Sequence, residues 1–179
     1  MTIKGDLSVS GIKSIQKQLK DYENQLMHKV EIFTLMLADL GIEVAENSVG
    51  NFGHHITFIT KDFESSRDGC QVLVYATDIS RIISIWKTKE GLKSAEVSPL
   101  LMAEFGSGKY AENPKGIEGV GRGTFPRQKN AWKDEGWYWQ TLDGEWHHSS
   151  GIAPTQPMYK ASIEILNQID KVARYVFKE

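Results

Sequence analysis

Apolar residues recur at spacings of three and four from Ile12 through Ile15, Leu19, Tyr22, Leu26, Val30, Phe33 and Leu37 to Leu40. That period places them on one side of a helix, with Lys13, Lys17, Lys20, Asp21, Glu23, Lys29 and Glu31 on the other. Ser8 or Ser10 is expected to cap its start, and Gly41 to end it by supplying a left-handed residue. A helix over 12–40 would run roughly 43 Å at about 1.5 Å per residue, long enough to overhang a domain and meet a neighbour.

Beyond Gly41 the pattern shortens to β-like runs. Ile42 to Ala45 is a candidate strand, and His55 to Thr60 is a second, ending at a polar turn between Asp62 and Gly69. Cys70 to Thr77 and Ser80 to Lys87 are rich in Val, Ile, Tyr and Trp. The step Thr77-Asp78-Ile79-Ser80 between them predicts a hairpin. Both faces of Val72 to Tyr75 are apolar, which predicts a central strand with helix on one side. Residues 106–131 read as a long glycine-rich loop. Asp143-Gly144, flanked by Trp137-Tyr138-Trp139 and Trp146-His147-His148, predicts a second hairpin over 136–148. A closing helix over 155–177 has an apolar stripe of Met158, Ala161, Ile165, Ile169, Val172 and Val176, with Thr155 as cap and Pro157 in the first turn. The economical architecture is one α+β domain spanning 1–179: a sheet over 42–87 packed by the two helices, from which the loop and aromatic hairpin protrude.

Composition adds exclusions. A formal charge of −2 argues against binding nucleic acid over the whole surface. Between Lys109 and Lys133, however, six basic residues face two acidic ones, a local patch able to meet phosphate or an acidic surface. The single cysteine, Cys70, excludes an intrachain disulfide and suits a reducing compartment. No signal-peptide core and no apolar run near ~18 residues is found, so no membrane partner is expected.

Candidate chemistry is sparse. His54-His55 and His147-His148 are adjacent pairs on strands, so each offers at most one imidazole to a common ion, and no metal site is expected. Gly119, Gly121 and Gly123 do not match a nucleotide loop: the spacing is wrong and Thr124 to Arg127 starts no helix, so no cofactor is expected. Glu104, before an aromatic residue and a glycine turn, lacks a catalytic partner and reads as a hydrogen-bonded turn residue. Trp132, Trp137, Tyr138, Trp139 and Trp146 suit packing on this domain or on an adjacent subunit, with sugar or nucleobase stacking as the rival use, the sugar testable by glycan-dependent quenching of tryptophan fluorescence.

Two segments remain, Ser98 to Gly108 and Gly151 to Ala161. The centre Ala103-Glu104-Phe105-Gly106-Ser107-Gly108 resembles the Val/Ala-Glu-Phe-Gly-Thr-Gly turn of the tail-completion proteins of long-tailed bacteriophages, also called head–tail joining or neck proteins. Pro154 to Met158 resembles that family's Pro-Gln-Pro-Phe/Tyr-Leu segment, which launches its last helix; Ser107, Thr155 and Met158 depart from the common pattern. The resemblance implies a non-enzymatic virion protein, made in the bacterial cytoplasm. It would form a ring, commonly of six, at the head-proximal end of the tail, where it meets the head connector or head-closure protein and the tail terminator or tail tube. DNA would pass through the lumen without sequence readout. A tail terminator or head-closure ring is the nearest alternative. On this reading Glu104, Phe105, Gly106, Gly108, Pro154, Gln156 and Pro157 are structural, Phe105 anchoring the turn in the core. Trp137, Trp139, Trp146 and the helix over 12–40 would make subunit contacts. Arg122, Arg127 and Lys129 would face the lumen or the connector.

Overall fold

The computed structural model describes residues 3–112 apart from 7, 81 and 89, together with 136–140 and 145–178. The first helix, α1, runs from Val9 to Ser48, forty residues, or about 60 Å at ~1.5 Å per residue. Ser8 caps it, its hydroxyl oxygen accepting from the Gly11 amide at 3.1 Å. Asp6 braces that cap by accepting from the Ser8 amide and hydroxyl, and these bonds hold its carboxyl below the usual carboxylate range.

Two expectations fail here. Gly41 does not end the helix, and Ile42 to Ala45 is helical rather than extended. The reason is a second helix, α3 (Pro157–Val176), which runs antiparallel along the C-terminal part of α1. The Phe33 and Phe177 rings meet at 5.9 Å, and Thr155 lies beside Gly50. Between these ends, a Cβ on Gly41 would stand 2.6 Å from Ile165 Cδ1. Glycine is therefore there for close helix approach, and the buried Ala38 and Ala45 extend the same narrow seam. Gly41→Leu is expected to lower the unfolding free energy by about 2 kcal/mol, overpacking outweighing the gain from removing a mid-helix glycine. Urea denaturation monitored by far-UV circular dichroism measures it.

The strands also pair differently. β1 (Ile56–Ser66) and β2 (Gly69–Asp78) form one antiparallel ribbon, turning at Arg67-Asp68 and bulged between Lys61 and Glu64. Asp62 takes the left-handed conformation at that bulge (φ 54°), which a short polar side chain tolerates. β3 (Ile82–Thr88) pairs with β4 (Gly91–Val97) instead of with β2. β5 (Trp137–Gln140) pairs with β6 (Trp146–Ser149), the aromatic hairpin that Asp143-Gly144 announces, with β5 beside β3. Among the described residues the β structure is thus three two-stranded ribbons, and the fold is α+β. Residues 72–75 do not form a central strand. β2 sits at the side of α1, and Leu73 is 52% exposed on the far face.

The core lies where α1 ends. Ala45, Val49, Phe52, Ile56, Phe58, Ala103 and Ala161 form it, bordered by Ile42, Leu100, Met102 and Met158. From there the β1–β2 ribbon lies back along α1, and its tip is pinned by Arg67 Nε to Glu23 Oε1 at 2.8 Å and Ser65 Oγ to Glu31 at 2.5 Å.

Candidate functional site

Ser98 begins a short helix that the sequence pattern did not reveal, α2 (Pro99–Phe105). The Ser98 hydroxyl accepts from Leu101 N at 3.2 Å, and Pro99 fills the first position, where no amide is needed. Asp78, at the end of β2, accepts from Leu100 N at 2.9 Å and so fixes α2 to the first ribbon. Ala103 is fully buried, whereas Phe105 is half-buried and outside the core cluster. The expected anchoring role therefore falls to Ala103. Phe105 contributes its carbonyl, which accepts from Glu112 N at 2.7 Å.

Gly106 ends α2 at φ 70°. A Cβ there would meet Ile152 O at 2.7 Å and Pro154 Cδ at 2.8 Å, so the segment bearing Pro154 runs directly over the turn. From Ser107 onward the chain is knitted to the segment before α3. Ser107 N donates to Ile152 O at 2.8 Å, and Ile152 N returns bonds to both Ser107 O and Oγ. Lys109 N donates to Ser150 O at 3.3 Å. Ala103 O accepts from Thr155 N and Gln156 N at 2.8 and 3.0 Å. Gly108 adopts φ 62° in the 3₁₀ turn that follows. The expected loop over 106–131 thus begins later: its first residues are held in this weave, and 113–131 lie outside the described residues.

The weave closes on the start of α3. Gln156 is its N-cap in a left-handed conformation (φ 55°, ψ 52°) and makes no side-chain cap. Pro157, fully buried, has no amide to offer. The next two amides point at one carboxylate: Met158 N donates to Glu104 Oε2 at 2.9 Å and Tyr159 N to Glu104 Oε1 at 3.0 Å. A side chain 54 and 55 positions away in sequence does the work that Ser, Thr, Asp or Asn at the cap ordinarily does. The negative charge also meets the positive end of the helix dipole. Thr155, the cap expected from sequence, instead donates its hydroxyl to Ala103 O at 3.3 Å. Gln156 Nε2 reaches Glu112 Oε2 at 3.3 Å.

Chemically this is an arrangement for holding chain in place. Both Glu104 oxygens are engaged by backbone donors, and Ser107, 3% exposed, is satisfied through Ile152. Among the described residues no buried side-chain polar atom lacks a partner, and no three of His, Cys, Asp or Glu converge on a common point. His55 Nδ1 lies 3.0 Å from Ser80 Oγ at the edge of the first ribbon, exposed.

Of the other expected site residues, Trp146 is 65% exposed at the start of β6. Its register partner across the ribbon is Gln140. The roles assigned to the Trp137 and Trp139 side chains lie outside the described residues, as do Trp132, Arg122, Arg127 and Lys129. No described helix is long and apolar enough to cross a membrane. Comparison with family models, curated proteins and solved structures returned no match.

Proposed function

We propose that this chain is a structural subunit of a bacteriophage neck: one member of a ring, commonly of six, that completes the tail and joins it to the head connector while DNA passes through. The observation that carries the reading is the weave between 98–112 and 150–159. The two segments that resemble the tail-completion family are far apart in sequence, yet they hydrogen-bond into one unit with Glu104 on the helix start. The pattern in the two segments thereby acquires a physical reason within this chain. The unit spends its polar groups on internal bonds, as suits a positioning element more than a reaction centre. It also joins Lys109 to Ser150, the two positions between which the basic stretch and the aromatic hairpin lie in sequence. In this proposal the ring's partners are further copies of the chain, the connector or head-closure protein, and the tail terminator or tube. The basic residues Arg122, Arg127 and Lys129 face DNA or the connector.

The test is electron microscopy of lysates from the parent phage lacking this gene. Filled heads and finished tails are expected to accumulate apart and to join when purified protein is added. Normal joined particles in the deletion would sink the proposal. Reversing the charge of Arg122, Arg127 and Lys129 together is expected to leave the fold intact and impair DNA retention or docking. Unchanged particles would remove only the lumen assignment.

A further inference from the structure

The β1–β2 ribbon is held in two different ways along its length. Its root is apolar and buried: Ile56 and Phe58 belong to the core, and Ala76, the register partner of Phe58, packs against it. Past the bulge between Lys61 and Glu64, the tip reads Glu64-Ser65-Ser66-Arg67-Asp68-Gly69-Cys70-Gln71, with no large apolar side chain. Among the described residues two polar bonds join this tip to α1, Arg67 Nε to Glu23 Oε1 at 2.8 Å and Ser65 Oγ to Glu31 Oε1 at 2.5 Å. The ion pair stands in water, its side chains 84% and 45% exposed, so salt screens it and it holds weakly. Beside it lies a groove of about 710 Å³, lined by Leu19, Lys20 and Met27 of α1 and by Ser65 and Arg67 of the tip. The tip keeps its own shape meanwhile. Gln71 Nε2 donates to Glu64 Oε2 across the ribbon at 2.8 Å, and Ser66 Oγ accepts from Asp68 N at 3.3 Å.

We infer that residues 64–71 are a releasable latch on α1. When the Arg67–Glu23 and Ser65–Glu31 bonds break, the ribbon bends at its bulge, the tip leaves the helix as one piece and the root stays in the core. The bulge is where bending costs least, because the ladder is interrupted there and Asp62 already sits at φ 54°. Release strands no buried polar group: Arg67 and Ser65 are exposed and turn to water, and Glu31 still has His28 Nδ1 at 3.7 Å. An open latch uncovers α1 between Leu19 and Met27, so the fold has a movable part beside its longest helix. The latch is independent of the neck reading, and neither falls with the other.

Cys70, the one cysteine of the chain, is a built-in reporter. It is half-buried and pairs across the ribbon with Ser65, whose hydroxyl reaches Glu31, so its thiol lies on the side toward α1. Labelling of the folded full chain by N-ethylmaleimide, an uncharged thiol reagent, is the measurement. Wild-type chain is expected to label more slowly than urea-unfolded chain, and faster in ~1 M sodium chloride than in dilute buffer. Arg67→Glu is expected to label about fivefold or more faster than wild type, the factor that goes with one exposed ion pair. Combining it with Glu23→Arg restores the pair with its charges exchanged, and the rate is expected to return to within about twofold of wild type. Ser65→Ala changes no charge and is expected to speed labelling as well. In every variant far-UV circular dichroism and amide exchange at Phe58 and Ala76 should match wild type, because the root does not move. Arg67→Glu labelling at the wild-type rate, a charge exchange that restores nothing, or labelling that rises only together with exchange at Phe58 and Ala76 would each overturn the inference.

Discussion

Replacing Glu104 by alanine is expected to lower the unfolding free energy by about 3 kcal/mol, measured by urea denaturation at neutral pH. The estimate comes from what is left behind. Met158 N and Tyr159 N lose their acceptor, Pro157 offers no donor, and Gln156 has no side-chain cap to substitute. The part-buried Met158 amide left without its acceptor costs more than the net worth of its bond, the exposed Tyr159 amide turns to water, and the charge–dipole attraction is lost as well. Glu104→Gln separates these contributions. Its single carbonyl oxygen can serve one amide, while its NH₂ group turns a donor toward the other, so a loss of roughly half the alanine value is expected. Hydrogen exchange at Met158 and Tyr159 should accelerate in both variants before the rest of α3 changes. An alanine variant within about 0.5 kcal/mol of wild type, the range of an ordinary surface change, would mean that the carboxylate only decorates the helix start. The weave would then depend on the Ala103, Ser107 and Ile152 backbone bonds alone.

Which parts of this were legible in the sequence follows from how far each determinant reaches. The stripes of α1 and α3 and the Asp-Gly hairpin depend on neighbours within a few positions, and all three are present. Gly41 reads as a helix end because a glycine after a periodic run suits one. The pattern Ala38, Gly41, Ala45 carried the competing message, small residues at spacings of three and four where another helix comes close. The strand pairing failed on a similar ambiguity. Asp68-Gly69 carries the same cue as Asp143-Gly144, and Glu90-Gly91 also ends in a glycine at positive φ, yet Thr77 to Ser80 drew the hairpin because the flanking runs are more apolar. In the structure that step is a crossing between ribbons, its Ile79 amide bonded to His55 O at 2.8 Å and Asp78 diverted to α2. The Glu104 cap had no local signature at all. Residues 98–108 and 151–161 could be marked as turns with apolar anchors, but that one supplies the other's cap depends on contacts more than fifty positions apart, which no periodicity encodes.

The most damaging single substitution is expected at Gly151, where alanine should cost about 4 kcal/mol or more, enough to leave little of a typical domain's stability. Two effects coincide there. The backbone sits at φ 105°, a conformation that L side chains rarely adopt. The new Cβ would also fall on the Ser107 carbonyl oxygen, with Gly108 Cα 2.9 Å away. Neither obstacle is the end of a flexible side chain. Both belong to the backbone that pairs Ser107 with Ile152, so relief requires the two segments to part. Gly91→Ala provides the calibration. Its φ of 116° is similar, but among the described residues nothing lies within 4 Å of its Cβ position, so it should show the conformational cost alone, about 1–2 kcal/mol. The difference between the two variants then reads the steric closure of the weave directly. Equal losses would mean that the segments separate easily and that their contact is a loose apposition. A Gly151→Ala chain that is mostly unfolded while Gly91→Ala remains cooperative would establish the weave as the joint on which α3, and with it the seam against α1, depends.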